Sequence, residues 1–435
     1  MITPAAPLRS PAAPRTRRRA LLTAGAALAA ALLPAAAALP AAPLRAPALR
    51  LRRGMNLWPW FSLTREFPAP RTDYDWPPYQ PERPVPRRED LVALRRAGID
   101  FVRIPVDPGP LIAFTGERRA RLMDAVAEAM AAALAADLSV IVNLHPNNAT
   151  HYWTAENLLR GRDDPLFRRI LALVAAMAGQ LSRHDPARVG FEPLNEPPQD
   201  CGDVLWSALQ AEMVTAARAA APDLTLILSG ACGGMIAGLE ALDPQAITDR
   251  NVIFTFHFYE PYVFSHQGAP WMTAEPMYRY LNAVPWPASA GSRVSALAAA
   301  AGRLAADTAL SAAEKRRIQA IIERALTDYF NGAPDRSYID AFLARVSAWG
   351  RRHGIAPGRI LLGEFGALRS DAHHVAARPA DRARYIRDVR EAAEAQGLPW
   401  AFWNFFDSMG LTRDDDDRRF DPAIAAALGL TSAGD

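Results

Sequence analysis

Eight short apolar runs, separated by amphipathic stretches, constrain this chain more than any other feature. The runs are Arg53–Leu57, Phe101–Val106, Ser139–His145, Val189–Glu196, Leu224–Gly230, Val252–Tyr259, Ile360–Gly366 and Trp400–Phe405. Helical patterns lie between them, among them Glu89–Ala97, Arg119–Ala136, Leu166–Arg183, Val204–Ala221, Ile339–His353 and Asp381–Gln396. Strands apolar throughout, alternating with helices, belong to a parallel sheet covered on both faces. Eight such units predict an α/β chain closed into a (β/α)8 TIM barrel rather than an open doubly wound sheet. No glycine-rich phosphate loop follows the first run, which argues against a dinucleotide-binding fold.

The chain has 435 residues, and a bare barrel needs about 250. The excess predicts enlarged loop regions after strands 1 and 6, over Pro59–Pro86 and from Pro261 to about Arg336. The second carries a helical hairpin, Val294–Leu310 and Ala312–Tyr329. Both fall on the face where barrel active sites lie.

Residues 1–40 read as an export signal, 41–49 as a proline- and alanine-rich linker, and 50–435 as the barrel domain. The signal's basic stretch Thr16-Arg17-Arg18-Arg19 is followed by alanine and leucine to Leu39, including the small residues Ala36-Ala37-Ala38. Its paired arginines resemble the twin-arginine export motif. Ordinary Sec export and an uncleaved anchor over Ala20–Leu39 remain as alternatives. The expected destination is periplasmic or secreted, with no stable membrane partner after cleavage. The chain is basic by three charges, but five arginines lie in the acid-free signal, so the remainder carries two more acids than bases. Such a chain has no electrostatic reason to bind nucleic acid. Cys201 and Cys232 follow successive predicted strands, where an oxidising compartment permits a bridge if the backbones approach; two buried thiols are the alternative.

Polar residues sit where a barrel mouth would need them. Arg103 interrupts the second run, His145 ends the third, and Asn195-Glu196 end the fourth. His257 and Tyr259 share one face of the sixth, Glu364 lies in the seventh and Trp403 in the eighth. Charged groups inside apolar runs are costly to bury unless partnered. Two carboxylates at one mouth suit hydrolysis of a glycosidic bond. One donates a proton to the departing oxygen, and the other answers the positive charge on the sugar.

This ordered set resembles glycoside hydrolase family 5, the cellulase-like retaining (β/α)8 glycosidases, over roughly residues 50 to 410. The resemblance implies that Glu196 is the general acid and then base, and that Glu364 is the nucleophile. It implies that Arg103 and Tyr259 hydrogen-bond Glu364, and that Asn195 holds the sugar 2-hydroxyl. His145 and His257 would contact the sugar and orient the acid, and Trp403 would floor the ring. The implied partner is a β-glucan polysaccharide or oligosaccharide, with no metal or organic cofactor, and the implied activity is endo-β-1,4-glucanase. Mannan or β-1,3-glucan, a catalytically silent glycan-binding barrel and a metal-dependent barrel hydrolase are the rival readings. Trp58, Trp60 and Trp153 in loops, with Trp271 and Trp286 in the long insertion, are candidate sugar platforms. Asp407, just past Trp403, has no assigned role. The sequence leaves the oligomeric state open.

Overall fold

The structure, a computed structural model, describes residues 47–146, 149–247, 249–371 and 375–431. The expected export segment and the first residues of the expected linker lie outside the described residues.

Eight parallel strands close into a barrel in chain order: β1 Arg53–Asn56, β2 Phe101–Val106, β3 Ser139–Leu144, β4 Val189–Glu192, β5 Thr225–Ser229, β6 Val252–Phe258, β7 Ile360–Phe365 and β8 Trp400–Phe402. β8 returns to pair with β1 through Arg53↔Trp400, which leaves no free edge. Every expected run supplies one strand. The expected helices appear within a few residues of their predicted limits, for example Gly116–Ala135, Pro165–Leu181 and Pro379–Ala395. Aspartate caps fix several helix starts, with the side chains of Asp164 and Asp421 accepting first-turn backbone N–H groups. Two short helices that follow β5 and β8 in the chain, Ile236–Ala241 and Pro422–Ala427, have no counterpart in the sequence reading. Six residues are too few to display a helical period.

Layers inside the barrel separate packing from chemistry. Leu49, Phe101, Ile141, Ile227, Ile253, Leu361 and Ala401 form a closed apolar floor. Gly54 is required there, because a Cβ would stand 2.2 Å from the Phe101 ring. Two residues further along the strands the interior turns polar, with Arg103 after Phe101, Asn143 after Ile141 and Thr255 after Ile253, all buried. His145 and His257 stand in the next layer.

Both enlarged loops are present. The first holds an antiparallel ribbon, Thr64–Glu66 with Tyr74–Tyr79. The second holds two packed helices, Arg293–Ala306 and Ala312–Gly332. Trp286 of this insertion is fully buried, bonds Asp388 through Nε1 at 2.8 Å and packs edge-on to Tyr385. It anchors the insertion to the outer helix Pro379–Ala395. Among the described residues, no helix is long and apolar enough to cross a membrane.

Candidate active site

Arg103 is the hub of the polar layer. β2 is buried along its whole length, so a guanidinium here must be fully partnered. Its five N–H donors meet five acceptors. Nε and Nη2 bond Glu192 at 2.7 and 3.0 Å, Nη1 bonds Glu364 at 2.7 Å and Asn56 at 2.9 Å, and Nη2 also bonds Asn195 at 2.7 Å. Burial opposes the charge on Arg103, but Glu192 and Glu364 outweigh it and raise its pKa. The bidentate partner Glu192 and the acceptor Asn56 were absent from the sequence reading. The signal that could have found them is the cost of a lone buried cation. Glu192 is the one carboxylate inside the fourth apolar run that precedes Glu196.

Glu364 reaches the interior through an irregularity. Leu361 and Gly363 face inward by alternation, which would turn Glu364 outward. The pairing between β6 and β7 shifts from Phe256↔Leu362 to His257↔Glu364, so the carboxylate joins the inward face. Gly363 makes room, since a Cβ there would stand 2.5 Å from the Thr255 hydroxyl. Glu364 accepts from Arg103 at 2.7 Å and from the Tyr259 hydroxyl at 2.9 Å. Burial pushes its carboxyl above the ordinary glutamate range. His257, Arg103 and Tyr259 pull against that rise, and Glu196 adds to it. Burial and the two carboxylates hold the Tyr259 hydroxyl well above the usual phenol range, so it stays a donor.

Glu196 is not on a strand. The expected run Val189–Glu196 ends its ladder at Glu192, where Pro193 offers no N–H to continue it. The chain then turns inward, with the Asn195 N–H on Leu144 O at 2.8 Å. Glu196 adopts φ +43° and is 40% exposed at its side chain. Its Oε1 meets His257 Nδ1 at 2.6 Å. Burial alone would lower the pKa of His257, but the charges of Glu364 and Glu196 override it and the net shift is upward. One carboxylate oxygen of Glu196, one of Glu364 and a ring nitrogen of His257 lie within 4.8 Å of one another. These three are the one group among the described residues with metal-ligand spacing. A cation there would face the Arg103 guanidinium already bonded to Glu364, which opposes its binding.

His145 pairs Nδ1 with Asn143 Oδ1 at 3.0 Å and Nε2 with Asn195 Nδ2 at 3.3 Å. An amide oxygen only accepts and an amide nitrogen only donates, so Nδ1 carries the proton. Burial, then the charges of Arg103 and His257, push His145 well below the usual histidine range and keep it neutral. Trp403, just past β8, stacks on His145 with centroids 5.5 Å apart, and Trp58 stands 5.2 Å from Trp403. Asp407 accepts from Trp58 Nε1 at 3.2 Å and so holds that indole in place. All eight predicted residues, Arg103, His145, Asn195, Glu196, His257, Tyr259, Glu364 and Trp403, gather at this mouth. Trp58 joins them. Trp153 does not, being 2% exposed and bonded to Thr72 O. Trp286 is core, Trp60 stacks on Phe61, and Trp271 is 48% exposed in the insertion.

The cysteines form a disulfide, Cys201–Cys232, with Cα atoms 4.9 Å apart. It joins the loop after β4 to the loop after β5.

Residues 72–408 match the family model for cellulase, glycosyl hydrolase family 5. Endoglucanase 3 of Fibrobacter succinogenes is 23% identical over 305 residues, which are 68% of this chain and 40% of that protein. Cellodextrinase A of Ruminococcus flavefaciens is 22% identical over 42% of this chain and 54% of its own length. The chain thus spans about half the length of these curated relatives. Among solved structures, Thermotoga maritima Cel5A in complex with mannotriose aligns with a TM-score of 0.61 at 22% identity, over 88% of this chain and 98% of that one. The cellulose synthase subunit Z of Clostridioides difficile aligns at 0.62 and 20% identity, over 87% and 99%. At these identities the structural likeness shows the fold alone.

Proposed function

We propose that this chain, which belongs to glycosyl hydrolase family 5, is a retaining β-glycosidase that cleaves β-1,4-glucan internally. The observation that carries the reading is the carboxylate pair, with an oxygen of Glu196 within 4.8 Å of one of Glu364. A retaining pair stands about 5–5.5 Å apart, and an inverting pair stands wider to admit a water. Glu364, held by two donors and buried beneath the mouth, is placed to attack the anomeric carbon. Glu196, more exposed and hydrogen-bonded to His257, is placed to protonate the leaving oxygen and then to activate water. Asn195, oriented by Arg103 and His145, is the candidate for the sugar 2-hydroxyl. The stacked rings of Trp403 and Trp58 offer an apolar surface to the pyranose. All of this chemistry runs on side chains and water.

The curated relatives named endoglucanase and cellodextrinase support a β-1,4-glucan substrate. Mannotriose bound to the Thermotoga maritima protein makes glucomannan the second substrate to test. The arginine-led residues 1–40 support export, hence a periplasmic or secreted enzyme that meets its polymer outside the cytoplasm.

The direct test is reducing-end release from carboxymethylcellulose, mixed-linkage β-glucan, laminarin and glucomannan, with Glu364→Ala alongside. Release from the first two, absent in the variant, is expected. Release from laminarin alone would keep the mechanism and discard the substrate. Silence on all four from a folded protein would discard the activity.

A further inference from the structure

We propose that the Cys201–Cys232 disulfide is a positioning element for Glu196 that preserves acid catalysis rather than merely stabilising the barrel. The proposal rests on the reading of Glu196 as the acid. Glu196 sits in the left-handed region at φ +43°, which non-glycine residues rarely adopt. It also precedes Pro197, and residues before proline favour extended backbone. Such a conformation persists only where the surroundings impose it. Strand pairing stops short of it, because β4 ends at Glu192 and the Asn195 N–H bond to Leu144 O lies one residue before the acid.

What holds the segment is the loop after β5. Gly233 N–H bonds Pro197 O at 2.9 Å and Cys232 N–H bonds Gln199 O at 2.8 Å. The disulfide then ties Cys201, five residues past the acid, to the same loop. That loop is itself tightly folded. A Cβ on Gly230 would stand 2.1 Å from Gly238 O, and one on Gly238 would stand 1.9 Å from Ala231 O. It also touches the acid's partner, since His257 N–H bonds Gly234 O at 2.8 Å. Gly234 lies directly under Glu196, where a Cβ would come 3.5 Å from its Cγ. One rigid loop therefore fixes both members of the Glu196–His257 pair, and the bridge clamps Glu196's segment to it. The nucleophile takes its hydrogen bonds from outside this clamp and meets the clamped pair through His257 Nδ1, 3.6 Å from its carboxylate. Glu364 is held by Arg103 and Tyr259, which come from β2 and the end of β6. Loss of the bridge should misplace the acid and spare the nucleophile. Cys201 is exposed, so a reductant can reach the bond.

The test compares leaving groups. Dinitrophenyl β-cellobioside needs little acid assistance, whereas an unactivated cello-oligosaccharide needs it fully. In Cys201→Ser/Cys232→Ser, kcat/KM on the oligosaccharide should fall ~10- to 100-fold, since a displacement of about 1 Å can cost about 100-fold. On the dinitrophenyl substrate kcat/KM should stay within about 2-fold of native. Dithiothreitol should reproduce this in the native enzyme. There the S–S bond becomes two thiols as the reagent cyclises to its own disulfide, and the double variant should not respond. Should the double variant fail to fold, the reduced native enzyme, checked by circular dichroism, supplies the comparison. Equal losses on both substrates, or no loss on either, would overturn the proposal. Glu196→Ala, run in parallel, separates the premise. If it too shows no leaving-group selectivity, the acid assignment fails and the proposal fails with it. If it shows selectivity and the cysteine variant does not, only the proposal fails.

Discussion

Arg103→Lys keeps the charge at the hub of the site and removes its geometry. The guanidinium uses all five donors on five acceptor atoms, in Glu192, Glu364, Asn56 and Asn195. An ammonium has three donors on one nitrogen, so at least two of those acceptors lose their partner. Hydrogen bonds to charged groups are worth about 1.5–3 kcal/mol each, which puts the loss at about 3–6 kcal/mol. Screening by water gives little relief, because the Arg103 side chain is 0% exposed and those of Glu192 and Glu364 are 1% and 5% exposed. For a domain of this length the unfolding entropy is ~0.8 kcal/mol per degree, so the melting temperature should drop by roughly 4–8 °C.

The same substitution should act on turnover. Arg103 pulls the Glu364 carboxyl down against its burial. Weakening that pull raises the pKa of Glu364 further and moves the acid limb of the kcat/KM profile to higher pH. Differential scanning calorimetry and a pH series on dinitrophenyl β-cellobioside read the two effects separately. A variant with native melting temperature and an unmoved acid limb would show that a point charge suffices, and the fork argument would be wrong.

Tyr259→Phe removes one donor from Glu364 and leaves Arg103 in place. The acid limb should again move upward, by less than in Arg103→Lys, and a downward shift in the pH series would contradict the assigned hydrogen bond. Glu364→Gln removes the largest charge that raises the pKa of His257. The ring should therefore titrate at lower pH in the variant, and histidine NMR showing an unchanged or higher midpoint would refute the coupling. Proton NMR of a β-cellobioside digest should show the β-anomer forming first, as the close carboxylate pair requires. First-formed α-product would overturn the double-displacement reading.

The barrel was legible because burial on both faces makes every strand apolar, and this pattern survives without knowledge of the partners. The polar residues were legible for the complementary reason. Arg103, His145 and Glu364 interrupt runs that otherwise exclude such groups, and a buried interruption demands a purpose. Two placements were not legible. Glu196 reads as a strand terminus but sits four residues beyond β4 in a left-handed turn, set by tertiary contacts with the loop after β5. Strict alternation from Leu361 turns Glu364 away from the barrel, and a pairing shift visible only in three dimensions turns it back. The tryptophans were misjudged where loops fold inward. Trp153 and Trp286 lie on long connections that a sequence presents as surface, yet each buries its ring and satisfies its indole N–H.

Glu192 shows what the sequence withheld about chemistry. A nucleophile that becomes an ester loses its charge partway through the reaction. If Glu364 were the sole counter-ion of Arg103, the glycosyl-enzyme would bury an unpaired guanidinium, and breaking a buried pair costs about 3–5 kcal/mol. Glu192 grips Arg103 through two oxygens at 2.7 and 3.0 Å and takes no part in bond making. On the proposed mechanism, Glu192 keeps the cation neutralised in both the free enzyme and the covalent intermediate. Glu364 can then give up its charge without unbalancing the interior. Arg103 stays fixed to orient Asn195 through both steps. On that mechanism the site uses a third, buried carboxylate to support two-carboxylate chemistry.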